Sequence, residues 1–235
     1  LYTLLRFPAL RPKKDDCRCS REALGRILNL SLMTCLQQSI MNFGILMIQG
    51  LVNSFGTVIM AAFAAAVKID SFAYMPVQDF GNAFSTFVAQ NFGAGKTDRI
   101  RRGVRSAFFT SAVFSLCVSL GVVCFATPLM RVFIDPSETA IIAAGVTYLR
   151  VEGSCYLGIG LLFLLYGYYR AVDKPLMSVI LTVASLGTRV ALAYALAPLP
   201  AVGVIGIWWS VPIGWGLADL AGLLYYKAKK QELLF

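Results

Sequence analysis

Histidine is absent from this chain of 235 residues, and charged residues make up only 14% of it. Without histidine, neither an H-E-x-x-H zinc site nor a Ser-His-Asp triad can form. The C-x-C pair of Cys17 and Cys19 has no second pair to join, so the sequence predicts neither a metal site nor a disulfide framework. These absences argue against an enzyme.

Apolar residues of the AVILMFWYC set account for 58% of the chain. They gather in six stretches, each long enough to cross a hydrocarbon core of about 30 Å. The sequence therefore predicts an all-α membrane protein with six transmembrane helices near 27–50, 57–90, 104–127, 139–169, 174–197 and 203–226. Residues 1–26 are predicted to be a linker that includes the end of a preceding helix at 1–8, and residues 227–235 a tail. Because the chain does not begin with Met, we expect a fragment of a longer protein.

Lysine and arginine are concentrated at one end of the predicted spans. The first 26 residues hold seven, the second connection five, the fourth two and the tail three, whereas the alternate connections hold only Arg131. By the positive-inside rule, both termini are predicted to be cytoplasmic, with the chain in the plasma (cell inner) membrane. Anionic membrane lipid, as a partner, then explains the net charge of +9 without nucleic acid.

Charged residues also lie inside the predicted spans, where each is costly unless it faces protein or water. They are Lys68, Asp70, Asp79, Arg150, Glu152, Arg189 and Asp219. Counted from the outer ends of spans two and four, the depths match for two ion pairs, Lys68 with Glu152 or Asp70 with Arg150. Such a group could form a cation or proton path, or a fixed ion pair that locks two helices together. Asp79 and Asp219 could instead extend toward the inner surface.

Two further features concern helix faces and helix shape. Gln38, Asn42 and Gln49 have offsets of four and seven, so they share one face of span one. This polar face either lines a solvated cavity or bonds to a neighbouring helix, and we favour the cavity. Pro76 and Gly81 weaken the backbone hydrogen bonds of span two, and they predict that this helix bends.

A glycine-rich turn follows span two and contains Gln90, Asn91, Gly93, Gly95 and Lys96. A phosphate-binding loop would require glycine where Gln90 stands, and it would follow a strand instead of an apolar helix. The glycines instead predict a helix end and a sharp cytoplasmic turn. The lysine and the arginines after it are expected to lie at the inner headgroups.

These segments together resemble one transporter family. The strongest matches are QGLVNSFG at 49–56, Pro76, and FVAQNFGAGK at 87–96 followed by Arg99-Ile100, with weaker ones at 148–150 and 169–175. The chain is similar to the C-terminal half of the MATE (multidrug and toxic compound extrusion) transporters. The resemblance implies twelve helices in two lobes, of which this chain supplies helices seven to twelve, with residues 1–26 as the cytoplasmic linker between lobes. A missing N-terminal lobe would then be a partner.

The resemblance implies a cation-coupled antiporter that exports drugs or amphipathic or cationic metabolites by rocking of two bundles. It implies no cofactor, only H⁺ or Na⁺ as coupling ion and a small-molecule substrate. The pathway candidates are then Gln38, Asn42, Gln49, Asp70, Asp79, Arg150 and Glu152. Some branches carry acidic residues midway along helices seven and ten, where this chain has residues 38–42 and Ile159. The alternatives are a lipid-linked oligosaccharide flippase, which should line its cavity with arginines, and a six-helix accessory subunit without transport.

Overall fold

The structure, a computed structural model, describes residues 20–229 together with Arg6. Residues 20–229 form eight helices: α1 (Arg21–Asn53), α2 (Thr57–Gly93), α3 (Thr97–Cys124), α4 (Ala126–Phe133), α5 (Thr139–Gly153), α6 (Tyr156–Ala171), α7 (Pro175–Leu196) and α8 (Gly203–Lys229). Helix α1 begins inside the predicted linker. Cys17, Cys19 and the tail from Lys230 onward lie outside the described residues.

Six membrane crossings are present if one of them is broken. Five helices of the described part are long and apolar enough to span a membrane, and α5 with α6 forms a sixth crossing bent by 52°. The span predicted over 139–169 is therefore made of two helices instead of one. Helix α5 ends at Gly153 and α6 begins at Tyr156. A carbonyl released at this break is not left unpaired, because the hydroxyl of Ser119 on α3 donates to the carbonyl oxygen of Gly153.

The ends of α2 and α6 show how local sequence sets the boundaries. Gly95 has a φ of +66°, and the backbone N–H of Lys96 donates to the carbonyl of Asn91 at 2.8 Å, which closes the end of α2. Asp173, with a φ of +59°, has the same role after α6, where the N–H of Lys174 donates to the carbonyl of Tyr169 at 2.9 Å. Both turns follow the sequence signals of a helix end.

Helix α2 contains 37 residues, which corresponds to a length of about 55 Å. It runs without a break through Pro76. Gly81 lies where α2 crosses α6: a Cβ atom placed on it would lie 2.9 Å from the carbonyl oxygen of Phe163. A Cβ on Gly167 would lie 2.5 Å from the carbonyl oxygen of Gly81. Gly81 therefore permits close packing of the two helices, a role that the sequence did not predict.

Helix α6 is central, since it packs against α2, α3, α7 and α8. The strongest packing joins α7 to α8, and α1 packs mainly on α7. Many large apolar side chains of α1 are exposed, among them Phe43 and Leu46. In a membrane protein such surfaces are covered by lipid or by further helices, so their exposure here does not indicate an unstable fold.

Candidate functional site

A cluster of ionisable side chains lies inside the bundle where α5 ends. Asp70 of α2 is 6% exposed, and Glu152, in the last turn of α5, is 2% exposed. The two carboxyl groups lie close enough to interact. The break between α5 and α6 thus places an acidic side chain, and the negative end of a helix dipole, within a membrane crossing.

Two tyrosines hold the Asp70 carboxylate. The hydroxyl of Tyr156, the first residue of α6, donates to Oδ1 of Asp70, and the hydroxyl of Tyr148 on α5 donates to Oδ2 at 3.5 Å. Both tyrosines are buried. Tyr148 and Glu152 are four residues apart on α5 and so share one face of that helix, whereas Tyr156 reaches Asp70 from beyond the break, at the start of α6.

Arg189 of α7 supplies the positive charge of the cluster. It interacts electrostatically with Asp70 and with Glu152, although it forms no close ion pair with either. Its Nε and the Oε1 atom of Glu152 are buried without a hydrogen-bond partner. When both carboxyl groups are ionised, they carry two negative charges and the guanidinium carries one positive charge. Among the described neighbours of the cluster, the second negative charge is not compensated.

The ion pairs predicted from depth, Lys68 with Glu152 or Asp70 with Arg150, do not form. Lys68 and Arg150 are both exposed, whereas Asp70 and Glu152 are buried. Residues two apart on a helix point in different directions. Turning each acid into the bundle therefore turns the nearby base, two positions earlier, outward.

An aromatic group borders the cluster. Phe63 of α2 stacks on Trp208 of α8 with ring centroids 5.5 Å apart. Tyr148 meets both rings edge-on, at 5.4 Å from Phe63 and 4.9 Å from Trp208. Because all three side chains are buried, they exclude water from one side of the acidic residues.

The polar face of α1 is divided between two environments. Gln38 lines a polar cavity of about 140 Å³ between α1, α2 and α6, together with Gln37, Gln78, Asn82 and Arg170. Arg170 donates from a guanidinium nitrogen to Oδ1 of Asn82 at 3.2 Å. By contrast, Asn42 is exposed and Gln49 donates to Asn53 at 2.9 Å.

The remaining predicted residues lie outside the cluster. Asp79 and Pro76 are exposed on α2. In the turn after α2, Gln90, Gly93, Gly95 and Lys96 are exposed, and only Asn91 is buried, donating from Nδ2 to the carbonyl of Phe87 at 2.7 Å. Asp219 does not extend to a surface, because it is buried on α8 with Oδ1 lacking a partner.

The site therefore combines two predicted acids with Arg189, which was named among the charged residues inside the spans but not among the pathway candidates. It also contains two tyrosines that were not predicted as site residues, Tyr148 and Tyr156. A signal for Tyr148 was present in its four-residue spacing from Glu152 on the same helix. The two carboxylates and the nearby helix C-terminus are negative, and the neutral tyrosine hydroxyls add oxygen atoms, so the arrangement can bind a proton or a small cation.

Comparison with known proteins assigns the family. The MatE family profile matches residues 30–195. The chain belongs to the MATE family. The predicted fold class is confirmed. The chain is helical and integral to the membrane, and it aligns with about half of the length of a MATE transporter structure. Members of this family are transporters rather than enzymes.

Relatives with assigned names support the same family. YpnP of Bacillus subtilis, a probable multidrug resistance protein, is 28% identical over 208 residues, which are 88% of this chain and 46% of YpnP. An FAD transporter of Shewanella oneidensis is 27% identical over 173 residues, 72% of this chain and 36% of that protein. The chain thus spans less than half the length of these relatives.

Solved structures show the same fold at low identity. An outward-facing multidrug resistance MATE transporter of the MOP superfamily has a TM-score of 0.90 and 20% identity, covering 98% of this MATE chain and 52% of that chain. A MOP superfamily transporter from Pyrococcus furiosus has a TM-score of 0.90 and 21% identity, covering 99% and 52% respectively. This MATE chain therefore corresponds to one of the two lobes.

Proposed function

We propose that this lobe belongs to a cation-coupled antiporter, and that Asp70 and Glu152 form its coupling site for H⁺ or Na⁺. The observation that carries the proposal is the buried pair of carboxyl groups at a broken helix, with a single guanidinium beside it. Broken membrane helices that bring helix ends and acidic side chains together within a crossing are typical sites of ion coupling. The exported substrate would be a drug or an amphipathic or cationic metabolite.

The cluster connects four helices, which explains how an ion could change the shape of the lobe. Asp70 lies on α2, Glu152 on α5, Tyr156 on α6 and Arg189 on α7. A proton or Na⁺ bound between the carboxylates would weaken their attraction for Arg189 and alter the acceptor available to Tyr156. The packing of α2 against α5, α6 and α7 would then differ between the loaded and empty states, and the lobes would rock between two arrangements.

An oligosaccharide flippase fits the charges less well. Its anionic substrate would favour several arginines around one cavity. Here Arg189 lies beside two carboxylates, Arg150 is exposed, and Arg170 is the one arginine of the described residues that lines the polar cavity next to α1. Arg101 and Arg105 line a separate, mostly apolar cavity near the start of α3. We therefore retain the antiporter as the proposal. An accessory subunit without transport would not need the buried, charged cluster.

The test is transport by the full-length natural protein in liposomes under an imposed H⁺ or Na⁺ gradient. Glu152→Gln keeps the side-chain size and removes the charge, and we expect gradient-driven efflux of a cationic dye to be lost. The matched control is Glu138→Gln, since Glu138 is exposed immediately before the same helix. Full gradient dependence in Glu152→Gln would exclude this site as the coupling site.

A further inference from the structure

A second cavity lies at the arginine-rich end of the bundle, away from the acidic cluster. Helices α3 and α8 each pack on α6, and the cavity of about 360 Å³ lies between them. Its volume falls in the range of small-molecule binding sites. Leucine and aromatic side chains form most of its wall, including Leu161 and Leu164 of α6, Phe108 of α3 and Leu223 of α8.

Among the described residues, two charged side chains line this cavity, and both are arginines. Arg101 and Arg105 are one turn apart near the beginning of α3, so their side chains lie on the same face. The N-terminal end of a helix also favours anions. Arg101 has a weak acidic neighbour, since Asp98 lies 4.0 Å away with both side chains well exposed. The positive charge at this end of the cavity is therefore only partly offset.

A buried hydroxyl group adds an independent observation. Tyr168 of α6 lines the same cavity, is 3% exposed, and its hydroxyl has no hydrogen-bond partner. Its ring packs edge-on against Tyr169 and Tyr226, at 5.5 Å and 5.4 Å. A buried tyrosine hydroxyl normally finds a partner, so an unpaired one on a residue that lines the same cavity as two arginines points to an acceptor supplied by a ligand.

We propose that this cavity binds one anionic glycerophospholipid from the leaflet on the arginine-rich side. The phosphate group lies at Arg101 and Arg105, the hydroxyl of Tyr168 donates to an oxygen of the head group or ester, and an acyl chain fills the apolar space between α3 and α8. Charge complementarity at one end and an apolar wall at the other match an amphiphile in this orientation. The lipid would hold α3 and α8 at a fixed separation over α6.

The experiment measures lipid retained by the full-length natural protein after extraction from phosphatidylcholine nanodiscs that contain phosphatidylglycerol. Native mass spectrometry counts the bound lipid. For Arg101→Gln with Arg105→Gln, we expect about thirtyfold weaker retention of phosphatidylglycerol. The control, Arg99→Gln with Arg102→Gln, removes the same charge from the same turns outside the cavity wall and should retain the lipid as the unmodified protein does.

Two further variants separate a seated lipid from general attraction to the membrane. Leu223→Trp fills the cavity from a position that is 39% exposed, so it should exclude the acyl chain while leaving the arginines in place. Tyr168→Phe should weaken retention about fivefold, because it removes only the hydroxyl. Equal retention in both arginine double variants, or no effect of Leu223→Trp, would overturn the proposal.

Other occupants give distinct results. If inorganic phosphate displaces phosphatidylglycerol completely, the site recognises phosphate alone and the proposal of a seated lipid is wrong. If lipid is retained only after residues 230–235 are deleted, the tail is the occupant and the proposal is also wrong. Unchanged retention after that deletion, with loss in the arginine variant of the cavity, supports the lipid.

Discussion

Asp70 and Asp219 are buried to nearly the same extent, at 6% and 7% exposure, but their neighbours differ. Asp70 accepts hydrogen bonds from Tyr156 and Tyr148 and lies beside a second acid and a guanidinium. Asp219 lies near Gly158 and Trp215, and its Oδ1 has no hydrogen-bond partner. One carboxyl group belongs to a network that links four helices, and the other does not.

The comparison shows that burial alone does not identify a coupling site. An ion can change the conformation of a lobe only if its binding alters contacts between elements that move. Around Asp70, such contacts reach α5, α6 and α7, so a bound proton or Na⁺ would change the contacts of several helices. Around Asp219, the neighbours on α6 and α8 make no hydrogen bond to its Oδ1. A change in the charge of Asp219 would therefore alter few contacts between helices.

The largest predicted effect separates the two aspartates by transport. Asp70→Asn should lower gradient-driven efflux about a hundredfold, the equivalent of about 2.7 kcal/mol, because the charge is lost while an acceptor oxygen for Tyr156 remains. Asp219→Asn should stay within about twofold of the unmodified protein. Efflux from liposomes under an H⁺ or Na⁺ gradient is the measurement. A loss of similar size in Asp219→Asn would contradict the distinction drawn here.

The next prediction concerns energetic coupling within the cluster. A double-mutant cycle of Arg189→Gln with Glu152→Gln should show an interaction of about 2 kcal/mol in the free energy of unfolding, since removing either charge leaves the other without its neighbour. The matched cycle of Arg189→Gln with Asp219→Asn should be additive to within about 0.5 kcal/mol. Unfolding in detergent gives both values. Additivity in the first cycle would show that Arg189 does not act with the acids.

A smaller effect is expected at the tyrosines. Tyr156→Phe removes a hydroxyl that donates to a buried carboxylate, and it should lower the free energy of unfolding by about 1.5 kcal/mol. The comparison is Tyr166→Phe near Asp219, which should cost only about 0.5 kcal/mol, because the hydroxyl of Tyr166 bonds to the neutral hydroxyl of Thr182 and not to the carboxylate. Thermal unfolding in one detergent compares the two. Equal losses would mean that the hydroxyl of Tyr156 adds nothing specific to the site.

The sequence was sufficient for the fold class and for several helix ends. Gly95 and Asp173 carry local signals, because a positive φ and a backbone hydrogen bond are properties of a few neighbouring residues. The break after Gly153 is different. No proline marks it, and the hydroxyl that accommodates a freed carbonyl comes from Ser119, 34 positions earlier in the chain. Such a tertiary contact is not visible in a local pattern.

The acids of the cluster were named from the sequence, but their partners were not. Depth along a helix was matched correctly for Asp70 and Glu152, since the two carboxyl groups do meet. Depth does not fix which way a side chain points. The choice of Lys68 and Arg150 as partners ignored rotation about the helix axis, and Arg189 reaches the cluster from α7, whose position could not be predicted from spacing.

The smallest effect tests the space around each carboxyl group. A Cβ on Gly158 would lie 3.5 Å from Trp215 and 3.6 Å from Oδ2 of Asp219, which is ordinary contact, so Gly158→Ala should raise the free energy of unfolding by about 0.5 kcal/mol through helix propensity. At the break beside Glu152, a Cβ on Gly153 would lie 3.1 Å from Val122, and Gly153→Ala should instead be destabilising. Unfolding measurements of both variants show the sign. A gain in both would mean that the break tolerates side chains, and that close packing around Glu152 does not help to hold the cluster in place.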